Sequence, residues 1–316
     1  MSTPASTSVG RVASSTTAPA TAPRQPRRRQ PITLRRVLRA LFIYAGMAIA
    51  LIVILGPFAW LLISSVADKV DLLARPLSWI PAHISFQRFI DLTIGGSPGD
   101  SQAQEFRSAL GNSLLIASVT TFVGVSVGTV AAYAFSRFRF PGRGWMILAF
   151  MATTMLPPIA LLLPLYQIMN TLGLSDTPLA LIIIYASFVT PYVVWLMRGY
   201  LDTVPRELDD AARVDGCSRL GALWRVILPV SRPGLLSTSL LAFLLAWDEF
   251  LYALVVTQTN ASKTIPVALN DFIGRYGVDF GRLAAGGVIA AIPPVIIAFV
   301  FQRYIVAGLT AGSVKG

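Results

Sequence analysis

The sequence predicts an all-α integral membrane protein with six transmembrane helices and both termini in the cytoplasm. Three observations carry this expectation. The 316-residue chain is 54% hydrophobic and only 13% charged, with a mean hydropathy of +0.66, whereas soluble domains average about a quarter charged residues. Its apolar residues gather into six long runs. Its arginines concentrate in alternate connections between those runs. The net charge of +11 is scattered between apolar segments, which suits loop charges that set membrane orientation; a nucleic-acid surface is excluded on that distribution.

Residues 1–33 are rich in Ser, Thr, Ala and Pro and end in a basic cluster, Arg24, Arg27, Arg28 and Arg29, followed by Arg35, Arg36 and Arg39. This composition buries too little apolar surface to offset ordering entropy, so a disordered basic cytoplasmic tail is expected. It is not a secretory signal, because the apolar run after it begins too late and is too long. The six runs cover residues 40–66, 108–135, 145–169, 179–197, 233–256 and 283–305. Each meets or approaches the roughly 20 residues that carry a helix across a hydrocarbon core of about 30 Å. Spanning strands would be about half as long and would alternate in polarity. Helices satisfy their backbone groups internally, as lipid requires.

Orientation follows from the connections. The N-terminal tail, the loop with Arg137, Arg139 and Arg143, and the segment with Arg198, Arg206, Arg213, Arg219, Arg225 and Arg232 are arginine-rich. Residues 170–178 contain Asp176 and neither Lys nor Arg. The positive-inside rule puts the arginine-rich connections and both termini in the cytoplasm. Pro57, Pro157, Pro158, Pro164, Pro191, Pro293 and Pro294 interrupt the runs, and Gly111, Gly124 and Gly128 punctuate the second. Close helix packing accounts for most of these; the cluster Pro157, Pro158 and Pro164 also suits a bend beside a pathway.

The polar island from Pro205 to Pro229 has more order than a connecting loop needs. Pro205 suits a helix start, and Glu207, Asp209 and Asp210 complement the helix dipole in the first turn. Asp209 and Arg213 are spaced as an i, i+4 pair. Ala211 and Ala212 offer a close-approach surface, and Gly216 permits a turn with positive φ. Ser218 suits a cap for a second run with Leu220, Leu223, Trp224 and Ile227 on its apolar face, which Pro229 ends. The expectation is a short cytoplasmic helix braced by a second, presented to a partner.

This stretch resembles the cytoplasmic EAA motif of permeases in binding-protein-dependent ABC importers. That motif runs Glu-Ala-Ala, three residues, Gly, nine residues, Ile-x-Leu-Pro. Here Asp210-Ala211-Ala212, three residues, Gly216, nine residues and Val226-Ile227-Leu228-Pro229 follow it, with Asp210 for Glu and Val226 for Ile. Asn112-Ser113, Ala132-Tyr133-Ala134 with Arg137, Pro141-Gly142, Pro157, Trp247-Asp248-Glu249-Phe250 and the tail from Val306 resemble the sugar-importer subgroup of maltose and trehalose type. The resemblance covers about residues 40–316.

The resemblance implies a type I ABC importer permease fold in a bacterial inner membrane. The expected parts are the tail 1–33, a first transmembrane helix 40–66, an extracytoplasmic loop 67–107, a permease core 108–305 with a coupling loop 200–232, and a C-terminal cytoplasmic tail 306–316, whose glycines suit disorder and which in the family can reach the ATPase interface. It implies a non-catalytic subunit of a carbohydrate importer that works with a second homologous permease, two ATP-binding subunits and an extracytoplasmic solute-binding protein. Glu207, Asp210, Ala211, Ala212, Arg213, Asp215 and Gly216 would form the helix that couples to the ATPase. The chain has no phosphate-cradling G-x-x-x-x-G-K-[ST] loop, consistent with ATP hydrolysis by a partner.

Asp248 and Glu249 admit two readings. An acid near a membrane midplane is costly, so solvation near the outer end of the span is one. The other is a polar pathway for a hydroxyl-rich solute, with Trp247 or Tyr252 stacking on a sugar face. No cofactor or metal site is expected: His83 and Cys217 are each the only residue of their type, and a metal needs several ligands at defined spacing. A same-fold permease for a glycerol phosphate ester or polyamine remains an alternative. An ion-coupled carrier would want buried acids in several spans, and an intramembrane enzyme would want catalytic motifs that the sequence lacks.

Overall fold

The computed structural model describes residues 34–73, 79–95, 99–274 and 277–311. The tail expected over residues 1–33 and the end of the C-terminal tail, residues 312–316, lie outside them. In chain order the helices are α1 Leu34–Val66, α2 Lys69–Leu73, α3 Gln87–Ile90, α4 Ser101–Arg137, α5 Arg143–Met155, α6 Pro158–Thr171 and α7 Pro178–Leu201. Then come α8 Glu207–Val214, α9 Arg219–Ala222, α10 Leu228–Val230, α11 Arg232–Trp247, α12 Leu251–Val256, α13 Ile265–Asn270 and α14 Phe280–Ala311. Asp91–Gly95 and Leu223–Ile227 are π-helical turns, and β1 Ile273–Gly274 pairs antiparallel with β2 Gly277–Val278.

The chain divides into two units, residues 1–54 and 55–316. In the first, the apolar side chains of α1 such as Phe42, Ile49 and Ile52 are exposed. A helix apolar all round is at home in hydrocarbon or a protein core, not in water. Among the described residues, four helical stretches are long and apolar enough to cross a membrane: Leu38–Val66, Ser101–Arg137, Pro178–Leu201 and Phe280–Arg303. Two bent pairs raise this to six if each counts as one span.

The third run is bent where the cluster of Pro157, Pro158 and Pro164 suits a bend. Between α5 and α6 the chain turns by 95°. Leu156 and Pro157 each precede a proline, which disfavours helical backbone, and both are extended at ψ 131° and 127°. Pro158 then occupies the first turn of α6, where its missing N–H is no loss. The fifth run also breaks: α11 stops at Trp247 and α12 starts at Leu251. The Glu249 carboxylate accepts hydrogen bonds from the Tyr252 and Ala253 backbone N–H groups, so an acid starts a new helix there. By contrast, Pro57, Pro191, Pro293 and Pro294 lie inside continuous helices.

Two boundaries also differ. The helix α4 begins at Ser101, inside the expected loop 67–107, because Asp100 caps it by accepting from the Ala103 N–H at 3.1 Å. Phe106 is fully buried there and packs on Phe272, so burial continues past the apolar run. At the other end α14 continues to Ala311, where a disordered tail was expected from residue 306.

The centre of the second unit is the pairing of α4 with α7. Gly124 meets Val189 and Gly128 meets Val193, so small residues four apart admit two valines four apart. A Cβ on Gly128 would lie 2.6 Å from Val193 Cγ1, whereas one on Gly111 would meet nothing within 4 Å. The substitution Gly128→Leu should therefore destabilise the chain by about 1–3 kcal/mol through overpacking. Gly111→Ala should be neutral or stabilising by up to about 1 kcal/mol. Thermal unfolding in detergent checks both.

Candidate functional site

The polar island folds as a short helix with a defined inside and outside. Glu207, Asp209 and Asp210 fill the first turn of α8, where the dipole favours acids. The helix starts at Glu207 with Arg206 at its cap, so Pro205 stands before the helix rather than in it. At its end Gly216 takes φ +87°. Its N–H donates to the Arg213 carbonyl at 3.1 Å, and the Cys217 N–H donates to the Ala212 carbonyl at 3.0 Å. This is the paired closure that a glycine with positive φ allows at a helix C-terminus. Ser218 caps α9 by accepting from the Gly221 N–H at 3.1 Å.

Pro229 does not end the second run, as the sequence suggested. The Leu228 N–H reaches back five residues to the Leu223 carbonyl, forming the π turn, and α10 carries on to Val230. Pro229 has no N–H for the Arg225 carbonyl, and the wider turn accommodates that loss. The chain then bends by 85° into α11. Of the expected apolar face, Leu223 and Ile227 are fully buried, while Leu220 and Trp224 are exposed.

Glu207, Asp210, Ala211 and Val214 form an exposed stripe along α8, flanked by exposed Arg213, Asp215 and Gly216. Val214 is 88% exposed. Leu208, Asp209 and Ala212 face inward. Ala212 is thus packed against its own chain, and Ala211 is the alanine of the pair that faces outward.

The expected pairing of Asp209 with Arg213 is replaced by a longer-range one. Asp209 Oδ1 accepts from the Tyr133 hydroxyl at 2.7 Å, and Asp209 Oδ2 lies 2.7 Å from Arg137 Nε. The side chains of Arg137 and Asp209 are 6% and 12% exposed. Neither Arg137 Nε nor Asp209 Oδ2 makes a well-aligned hydrogen bond, so charge and proximity hold the pair. Arg137 Nη2 also donates to the Val204 carbonyl, and Arg206 Nη2 to the Ser136 carbonyl, both at 3.0 Å. The Ser136 hydroxyl donates to Asp202 at 2.7 Å, and the Arg219 guanidinium sits 4.8 Å over the Phe138 ring. The end of α4 and the foot of α8 are bound at many points. The sequence signal was present in Tyr133 and Arg137, one turn apart at the end of an apolar run, but their partner, 76 residues beyond Tyr133, has no local signature.

At the other end of α4 a second polar cluster gathers. Asp176, with φ 58°, accepts from the Gln258 and Thr259 N–H groups and from the Thr259 and Ser262 hydroxyls at 2.6–3.1 Å. Burial pushes its pKa up, but these hydrogen bonds outweigh that and hold it down at about 2. Asn112 donates to the Asn260 and Lys263 carbonyls, and the Ser113 hydroxyl accepts from the Ile265 N–H at 2.8 Å. Lys263 pairs with Glu105 and Asp271, and Arg282 pairs with Asp100.

The four residues of the expected substrate pathway do not line one pocket. Trp247 is buried, stacked on Phe243, and donates to the Ala290 carbonyl at 3.2 Å. Tyr252 is buried, stacked on Phe188, and donates to the Pro158 carbonyl at 3.3 Å. Their ring faces are thus occupied by the chain itself. Asp248 and Glu249 line an open pocket of about 360 Å³ with Tyr192, Leu241, Leu244 and Leu245. Among the described residues no group of three or more His, Cys, Asp and Glu side chains is placed to hold a metal.

Residues 124–311 match the family of binding-protein-dependent transport system inner membrane components. The chain belongs to this family. The permease is 36% identical over 281 residues to the trehalose/maltose transport system permease protein MalG of Thermococcus litoralis, covering 89% of this chain and 98% of that one. It is 36% identical over 262 residues to the trehalose transport system permease protein SugB of Mycobacterium tuberculosis, covering 82% and 92%. Among solved structures, it is similar to a chain of a bacterial ABC transporter involved in the import of the acidic polysaccharide alginate. That match has a TM-score of 0.70 at 20% identity and covers 86% of this chain and 98% of that one. The fold is that of an ABC importer permease. The permease is a multi-pass membrane component of a transport system and not an enzyme.

Two outcomes follow from the two polar clusters. Asp209→Asn leaves Arg137 buried without its counter-charge and should destabilise the permease by about 3–5 kcal/mol. The apolar double variant Arg137→Met with Asp209→Leu should be less unstable than either single variant in thermal unfolding. For Asp176 the folded pKa, about 2, lies below the usual carboxylate value of about 3.9. Its contribution to stability is therefore full above pH about 4 and lost as the pH falls toward 2. Hydrogen-exchange protection of residues 257–262 should follow that window, and Asp176→Asn should abolish the dependence.

Proposed function

We propose that this permease forms one half of the translocation pathway of an ATP-driven importer of di- or oligosaccharides. The observation that carries the reading is the helix α8: a polar outer stripe offered to a partner, and an inner side tied by Asp209 to the end of α4. In this reading two ATP-binding subunits dock on Glu207, Asp210, Ala211, Arg213, Asp215 and Gly216, and their closure moves α8 and α4 together. Ala212 supports the helix from within. ATP hydrolysis belongs to those subunits. A second, homologous permease completes the pathway, and a solute-binding protein delivers sugar at the opposite face, near the Asp176 cluster.

The membrane is the bacterial inner membrane, with six passes and both termini cytoplasmic. What supports this orientation is the arginine-rich character of the connections beside α8 and the positive-inside rule. The carbohydrate reading is supported by the printed names of the relatives, trehalose/maltose and trehalose permeases. It is supported also by the pocket of about 360 Å³ that Asp248 and Glu249 line. That volume lies within the range of small-molecule sites, and carboxylates accept hydrogen bonds from sugar hydroxyls. The importer alternates between two states, and ATP and loaded binding protein act by favouring one of them.

The test is tracer uptake of trehalose and maltose into cells with and without this chain, with ATP depletion as the control. The expected result is ATP-dependent uptake of one sugar, lost on deletion. Uptake driven by an ion gradient without ATP would overturn the reading. Gly216→Trp, which forces a bulky residue into the left-handed region, should abolish uptake while the chain still inserts. Asp248→Asn and Glu249→Gln should lower uptake without altering the amount of chain in the membrane.

A further inference from the structure

The pocket between α7 and α11 holds a charge that its own chain does not answer. Asp248 is exposed at the end of α11. Among the described residues its carboxylate has no hydrogen-bond or ion-pair partner. Glu249, beside it, differs: one carboxylate oxygen accepts the Tyr252 N–H and the other the Ala253 N–H. The two acids thus have separate roles. Glu249 holds the start of α12, and Asp248 lines the pocket with both oxygens free.

The pocket lies deep in the span. Tyr192, on its α7 wall, stands about 21 Å along a helix of about 36 Å, at 1.5 Å per residue. Asp248, Glu249 and Phe250 belong to no helix. At such depth an ionised side chain and non-helical backbone are tolerated within protein or beside a water-filled cavity, not against lipid. The chain itself leaves Asp248 uncovered, so the pocket belongs to a wet face. Tyr192 supplies an apolar counterpart to the acid. Its contact with Trp195 is tilted, with centroids 6.4 Å apart at 43°, whereas Trp247 and Tyr252 are stacked. Leu241, Leu244 and Leu245 complete the walls, and no Lys, Arg or His is among the lining residues.

We propose that this pocket selects neutral pyranosides and rejects acidic sugars and phosphate esters. The C–H face of the sugar ring rests on Tyr192, and sugar hydroxyls donate to the Asp248 carboxylate. An aromatic face carries partial negative charge and attracts such C–H groups. An ionised carboxylate only accepts hydrogen bonds, and those it accepts are about twice as strong as neutral ones. An anionic solute would bring its charge beside Asp248 with no basic group in the walls to offset it, and like charges repel strongly where water is scarce. Selectivity then rests on a repulsive element as well as an attractive one. The inference rests on the carbohydrate reading above and narrows it: Asp248 is the specificity residue, Tyr192 is the stacking platform, and Glu249 is a positioning residue that fixes the break.

The test uses the full-length chain in phosphatidylcholine nanodiscs and saturation-transfer NMR with methyl α-glucoside and methyl α-glucuronoside, which differ only at C6. The glucoside should bind about tenfold more tightly than the glucuronoside. Asp248→Asn should weaken the glucoside about threefold and bring the two ligands within about twofold of each other. Tyr192→Ala should remove saturation transfer to the ring C–H protons, and Tyr192→Phe should retain it. Circular dichroism and monodisperse elution report folding, and Asp248→Asn decides the matter if Tyr192→Ala does not fold. Equal binding of the two ligands by the parent chain would overturn the proposal, as would discrimination that survives Asp248→Asn. Carbodiimide coupling of Asp248 to a lysine of a second membrane chain would also overturn it, since the acid would then be covered by a partner's charge. Uptake of trehalose or maltose through this chain together with equal binding overturns this inference alone. No sugar uptake, with putrescine bound in preference to the glucoside, overturns the carbohydrate reading as well.

Discussion

A buried carboxylate organises this permease. Asp209, on the inner side of α8, lies between the Tyr133 hydroxyl and the Arg137 guanidinium. Ions in such surroundings lose several kcal/mol of hydration each, and only close pairing offsets the loss. The pairing therefore has one good register. It sets which side of α8 turns inward, and so it sets that Glu207, Asp210, Ala211 and Val214 turn outward. The Gly216 closure and the Ser218 cap then fix where α8 stops and the second run begins. Had Asp209 paired locally with Arg213, α8 would be a helix on a loop, with no defined seat.

What Asp209 grips is the end of a long strut. The helix α4 has 37 residues, about 55 Å at 1.5 Å per residue. Its far end is held by Asp100, Asn112 and Ser113, which join it to the segment around Lys263 and to Arg282. Its middle is locked to α7 by the glycine-to-valine contacts at Gly124 and Gly128. Polar anchors lie at both ends and close apolar packing between them. In the proposed function, a push on the outer stripe of α8 is conveyed along one continuous helix toward the Asp176 cluster, with few soft joints on the way. The bends of 95° and 85° lie in other elements, so α4 itself remains unbroken.

Much of this was legible in the sequence wherever the cause was local. The apolar runs, the first-turn acids of α8, the positive φ at Gly216 and the Ser218 cap each depend on a few neighbouring residues. The features that escaped depend on residues far apart. Asp209 looked like the partner of Arg213 because spacing rules see only one helix. Ala211 and Ala212 looked equivalent until the inner side was defined. Trp247 and Tyr252 looked available for a sugar until Phe243 and Phe188 were found against their rings. The 95° turn is a different case: Leu156-Pro157-Pro158 contains its own explanation, since two successive residues precede proline. The proline cluster therefore marked a bend in advance, though not its angle.

The central claim is that α8 and the end of α4 move as one body when the transporter works. Spin labels at Val214 and Arg139, both exposed, allow a direct measurement in the assembled complex. The distance distribution between them should stay the same with and without ATP, even as distances from either label to the proposed ATP-binding subunits change. A shift of several ångströms between Val214 and Arg139 on nucleotide binding would mean that α8 swings free of α4, and would contradict the account.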